Sequence, residues 1–189
     1  NYEPKYLTDI VKQSKQDEYG NGVYEMGGEY VYRGDDVKNY VSFNNQLWRI
    51  VKVDSEGDIK LVLANYTEDT YSWDDSYNAN IGGGITTDYL HTSIRKTLND
   101  YYNKNFDKDI KAKIVAKNIC IGRFTEKDEF SQEKNCLYTK ENEKISLLSV
   151  IDYKNACLDD KCQTLGNMEC SNRNYLAEDG ISTWLVNVS

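Results

Sequence analysis

Residues 40–64 alternate with a period of two, and that pattern limits the chain to folds built around an antiparallel sheet. Tyr40-Val41-Ser42-Phe43 leads into Asn44-Asn45, a pair that tolerates positive φ and so suits a two-residue turn. Leu47-Trp48-Arg49-Ile50-Val51-Lys52-Val53 resumes as a strand, Asp54-Ser55-Glu56-Gly57 turns the chain again, and Ile59, Leu61 and Leu63 repeat at alternate positions. The spacing predicts strands at 40–43, 47–53 and 58–64. Arg49 and Lys52 fall on opposite faces, so one of these charges must pair or snorkel.

Upstream, Tyr6, Leu7, Ile10 and Val11 make a narrow apolar stripe behind Pro4, so residues 1–22 read as a helical arm or linker, the tail of something longer. Alternation at Tyr30 and Tyr32 predicts a short strand after the glycines at 20, 22, 27 and 28. Downstream, Thr92 or Ser93 can cap a helix over about 93–105 in which Ile94, Leu98 and Tyr101 or Tyr102 recur at helical spacing. Asp107 can cap a second, shorter one carrying Ile110, Ile114 and Val115. Ser146-Leu147-Leu148 reads as a buried strand. Ser149 and Asp152 have the spacing of a capping box opening a helix over 150–156, and Thr183–Asn187 reads as a last strand. Residues 65–87 form a long loop, and 117–144 is a polar excursion. The fold expected is α+β: a twisted antiparallel sheet (the meander 40–64 plus a C-terminal strand), two main helices and long disulfide-braced loops. Residues 23–189 would make one domain.

The balance of 23 Lys+Arg against 31 Asp+Glu gives a formal charge of −8, which repels phosphate backbones and argues against a nucleic-acid partner. No apolar run is long enough to span a membrane. The lone histidine, His91, rules out His-rich zinc sites, and no motif supplies it with a nucleophile and an orienting acid. Capping or partial burial fits it better. The 16 tyrosines fit either an AT-rich codon usage or a tyrosine-rich recognition surface.

All five cysteines lie beyond residue 119, with no zinc-type spacing among them. Such a cluster favours disulfides and an oxidising compartment, extracellular or at a cell surface. Cys120–Cys136 would close the polar excursion and Cys162–Cys170 the next loop, leaving Cys157 free to pack like an alanine. Cys157–Cys162 is the rival pairing, and it would strand Cys170.

Three stretches carry a family resemblance: 40–51 (YVSFNNQLWRIV), 93–102 (SIRKTLNDYY) and 147–156 (LLSVIDYKNA), the last followed by paired cysteines and a tryptophan strand. Together they resemble a domain of surface and secreted proteins in gut Gram-positive bacteria, distantly grouped with C-type-lectin-like and formylglycine-generating-enzyme-like folds. Some members sit behind a prepilin-type leader. The resemblance spans roughly residues 30–187 and implies two helices packed on a twisted antiparallel sheet with excursions from one end. The chain lacks both the calcium triplets of sugar-binding lectins and the Gly-Asn-Val-Trp-Glu-Trp stretch of the formylglycine enzymes, so architecture transfers and activity does not.

Within the long loop, Tyr71, Trp73, Asp74, Asp75, Tyr77 and Asn78 bring aromatic faces and hydrogen-bonding groups together. These can stack on sugar rings and bind hydroxyls; equally, Trp73 can plug the core from a surface loop. The acidic residues do not match an EF-hand, and no metal or cofactor is expected. The function expected is a non-enzymatic extracellular binding or adhesion module for a host or microbial glycan or protein. The alternative is a pilin-like fibre subunit assembling through its N-terminal arm. A carboxylate-pair hydrolase stands third, with no spacing that marks the pair.

Overall fold

The computed structural model describes residues 6–65, 69–75, 88–121, 138–163, 170–177 and 185. It is α+β, with antiparallel sheets and, among the described residues, four α-helices. The chain divides into two compact units. The first takes its described residues from 6–65, 151–163 and 170–177, the second from 69–75, 88–121, 138–150 and 185.

The first unit opens with α1 (Leu7–Gln13) and continues into a five-stranded antiparallel sheet: β1 (Gly22–Met26), β2 (Glu29–Arg33), β3 (Tyr40–Phe43), β4 (Gln46–Val53) and β5 (Ile59–Leu63). The two two-residue hairpin turns use positive φ at both central residues: Gly27 and Gly28 between β1 and β2, Asn44 and Asn45 between β3 and β4. That geometry matches the twist of the flanking strands. The three expected strands of the meander are present within a residue of their predicted ends, and β2 covers Tyr30 and Tyr32.

β4 organises the sheet. Its N-terminal half pairs with β3 (Tyr40↔Arg49 to Phe43↔Gln46), its end pairs with β2 (Tyr30↔Val53, Val31↔Lys52), and β5 pairs with it from Trp48 to Val53. A register shift between Ile50 and Lys52 marks a bulge, and β4 is buried from Ile50 to Val53. Asn39 fills the seam between β3 and β2. Its carbonyl accepts from the Ile50 N–H (2.8 Å), its Nδ2 donates to the Ile50 carbonyl (2.7 Å), and its Oδ1 accepts from Arg49 Nε (2.9 Å). A buried carboxamide thus substitutes for a peptide unit of the ladder.

α4 (Val150–Ala156) starts where the sequence predicts. The segment after it returns to the sheet at Gly34, whose N–H donates to Ala156 (2.9 Å) and whose carbonyl accepts from Tyr175 (2.8 Å). Gly34 has φ +119, and a Cβ there would lie 2.1 Å from Asn21 Oδ1, so only glycine fits. Cys162 and Cys170 are disulfide-bonded and Cys157 is free and buried, as expected. Cys120 is also disulfide-bonded, while its expected partner Cys136 lies outside the described residues.

In the second unit α2 (Ser93–Asn105) has the expected bounds, with Thr92 as N-cap accepting from Arg95 N–H. Asp107 caps α3 (Lys108–Lys111) as expected, but the helix is a single turn that holds Ile110 and stops short of Ile114 and Val115. Its core gathers Tyr89 and Ile94 with Trp73, Leu90, Ile119, Ile121 and Leu147. Two expectations change here. The polar excursion contains a strand pair, β6 (Lys117–Cys120) with β7 (Thr139–Glu143). Residues 146–148 form no strand: Leu147 is spent on packing against Tyr89 and Ile94 instead of joining a ladder. The predicted strand at 183–187 lies outside the described residues except for Leu185, which is in no strand.

Candidate functional site

Of the six loop residues singled out from sequence, four are described; Tyr77 and Asn78 lie outside the described residues. Tyr71 is exposed. Trp73 is half-buried and leans on Tyr89 with ring centroids 6.1 Å apart, and its carbonyl accepts from Ile94 N–H (3.2 Å). Asp74 is buried and accepts from Ser93 Oγ (3.0 Å). Asp75 donates its N–H to the same hydroxyl (3.1 Å), and its carboxylate also lies against it. The loop therefore docks on the first turn of α2 through Trp73, Asp74 and Asp75, and the structure brings these three together around Ser93.

His91 is exposed and pairs through Nδ1 with Asp88 Oδ2 (2.7 Å), in the turn capped by Asp88. Deeper in this unit, Arg95 binds Glu143 through two nitrogens (2.8 and 3.3 Å) beside Tyr89. Burial, reinforced by the Glu143 carboxylate, pushes the Tyr89 hydroxyl up to about 12.

In the first unit the carboxylates of Asp54, Glu56 and Asp58 lie within 4.8 Å of one another at the β4–β5 turn. Asp54 Oδ1 accepts the N–H groups of Glu56 (3.0 Å) and Asp58 (2.9 Å), so the cluster is accounted for as an Asx-type turn.

A part-buried ionic relay joins the sheet to α4. Lys52 Nζ meets both Glu29 oxygens at 3.0 Å and Asp152 Oδ1 at 3.9 Å, while Lys60 Nζ meets Asp152 Oδ2 at 2.6 Å. Asp152, expected to close a capping box, thus directs its carboxylate to the sheet. Arg49, the other charge of β4, is held between two rings, its Cζ 4.5 Å from the Tyr40 centroid and 4.6 Å from that of Tyr175. Both charges are paired, where the strand pattern required it of only one.

The arrangement around Arg49 gives a surface that sequence reasoning missed. Cross-strand register puts Tyr40, Ser42, Leu47 and Arg49 on one face of the β3–β4 hairpin. Tyr40 is 55% exposed and Leu47 45% exposed. The guanidinium holds the Tyr40 ring in place and leaves much of it open, which suits stacking on a flat apolar face such as that of a sugar or peptide side chain. The signal in the sequence was Tyr40 opposite Arg49 across an Asn-Asn turn. A second apolar stripe runs from Tyr6 into α1, where Leu7 and Ile10 are exposed like Tyr6 while Val11 is fully buried.

No protein-family model, curated protein or solved structure matches the chain.

Proposed function

We propose that the chain is a non-enzymatic extracellular binding or adhesion module of a Gram-positive cell surface, recognising a glycan or a protein, on the C-type-lectin-like plan that its motifs resemble. The observation that carries this reading is the Cys162–Cys170 bond, accompanied by a bonded Cys120: disulfides persist in oxidising compartments. The first unit offers Tyr40 with Leu47 as a ligand surface, and the second offers, as a separate candidate, the aromatic loop in which Tyr71 is exposed. A glycan array and a host-protein screen with the oxidised protein test it. Binding that is lost in Tyr40→Ala or Tyr71→Ala, with stability retained, supports the reading. The absence of any ligand from both screens, or full binding by both variants, defeats it.

The exposed stripe on α1 favours a second reading, assembly as a pilin-like subunit through the N-terminal arm. Sedimentation at rising concentration separates the two. Self-association abolished by Ile10→Asp supports assembly, and a monomer at all concentrations excludes it.

A further inference from the structure

Just beyond α4, three cysteines share one buried cluster. Cys157 and Cys162 are fully buried, Cys170 is 1% exposed, and Tyr153 packs against the cluster. The disulfide joins Cys162 to Cys170, and Cys157 is free, its sulfur accepting from the N–H of Asp159 (3.3 Å), the residue before the turn that carries Cys162. Toward Cys162, the Lys154 carbonyl accepts the Cys157 N–H (3.1 Å) and lies 3.8 Å from Cys162 Sγ. Toward Cys170, the Cys157 thiol donates to the carbonyl of Asn172 (3.1 Å), and Leu158 N–H donates to Arg173 (3.1 Å). A free thiol packed with an intact disulfide is the arrangement that thiol–disulfide exchange requires.

We propose that Cys157, Cys162 and Cys170 form an exchange centre in which the disulfide can migrate to Cys157. The Cys157 thiol gives up its proton and the thiolate attacks one sulfur of the Cys162–Cys170 bond. That bond breaks as the new one forms, and the displaced thiolate takes up a proton. One thiol and one disulfide remain, so no oxidant or reductant is consumed. Attack on Cys170 gives Cys157–Cys170 and frees the one-turn helix Asp160–Gln163. Attack on Cys162 gives Cys157–Cys162 and unties the segment carrying Arg173, Asn174 and Tyr175, which meets the sheet at Gly34. Burial holds the Cys157 thiol above its usual range, which keeps the centre quiet in the closed fold at neutral pH. Alkali or local opening releases it.

The test uses the oxidised, non-denatured protein, incubated between pH 7 and pH 9 with and without mild urea. Thiols are then trapped with N-ethylmaleimide at pH 6.5 under denaturing conditions and located by non-reducing peptide mapping. The expected result is label on Cys157 at time zero that moves in part to Cys162 or Cys170, faster at pH 9 and in urea. In Cys157→Ala neither Cys162 nor Cys170 takes label at any time. Label that stays on Cys157 throughout overturns the proposal. So does equal labelling of Cys162 and Cys170 in Cys157→Ala, which would mean simple reduction, and so does label spreading to Cys120, which would mean unconfined scrambling.

Discussion

Lys60 Nζ stands 2.6 Å from Asp152 Oδ2 and so fastens β5 to α4 across 92 residues of sequence. The Asp152 side chain is 1% exposed and also faces Lys52, whereas Lys60 is partly open to solvent. Removing the carboxylate takes the 2.6 Å partner from Lys60 and leaves Lys52 to Glu29; removing Lys60 leaves Asp152 with Lys52. Asp152→Ala should therefore cost about 3–5 kcal/mol, and Lys60→Met well under half of that. Urea denaturation measures both, and equal losses would contradict the ranking.

Gly34→Ala is expected to lower stability by at least about 1–3 kcal/mol. The new methyl meets Asn21 Oδ1 at 2.1 Å, and φ +119 is strained for any L side chain. Gly57, also at positive φ (+89), has nothing within 4 Å of an added Cβ. Gly57→Ala therefore shows the backbone cost without the clash. A smaller loss at 34 than at 57, read from denaturant midpoints, would refute the steric account.

Much of this fold was legible because its strongest signals are local. The meander declared itself through alternation, and Asn44-Asn45 through its tolerance of positive φ. β1 was hidden because it starts at Gly22, and glycine carries no side-chain pattern. β6 and β7 were hidden because their outward positions are polar and a register shift breaks the alternation. Leu147 misled because apolar runs do not say whether they join a ladder or fill a hole. At the site, the chemistry of Trp73, Asp74 and Asp75 was visible but their orientation was not. The relay of Glu29, Lys52, Lys60 and Asp152 could not be seen, since its members are dispersed and charged residues give no pairing signal.

Alkaline pH should weaken the fold through Tyr89. Its folded value of about 12 exceeds the unfolded value of 10.0, so the folded state holds the proton more tightly. Its contribution is intact below about pH 10 and is lost between pH 10 and 12, by about 2–3 kcal/mol at most. Tyr175, also buried, is raised in the same direction and adds to the slope. Tyr89→Phe should thus flatten the fall in stability without abolishing it. Denaturant midpoints from pH 8 to 12 give the slope, and an unchanged slope in the variant would rule Tyr89 out.

Asn39→Ala should cost about 2–4 kcal/mol, because the Ile50 carbonyl and the Arg49 guanidinium each lose a buried partner. The same change should loosen the Tyr40 ring, whose position depends on Arg49. Tyrosine ring resonances in NMR would show this. An unshifted Tyr40 would mean that the ring is held by other contacts.

The bond from Arg33 Nη2 to the Cys157 carbonyl joins residues 124 apart. With Gly34 bound to Ala156 and Tyr175, it means that the first unit closes only when the end of β2 meets residues 156–175. As the polypeptide leaves the ribosome, the sheet emerges long before α4 and the residues that hold it. Until then Lys52 and Lys60 lack Asp152, and the sheet edge at Gly34 is unfilled. Synthesis must pass residue 175 before this half can lock, so a chain truncated ahead of residue 150 is left with a meander and no completed core.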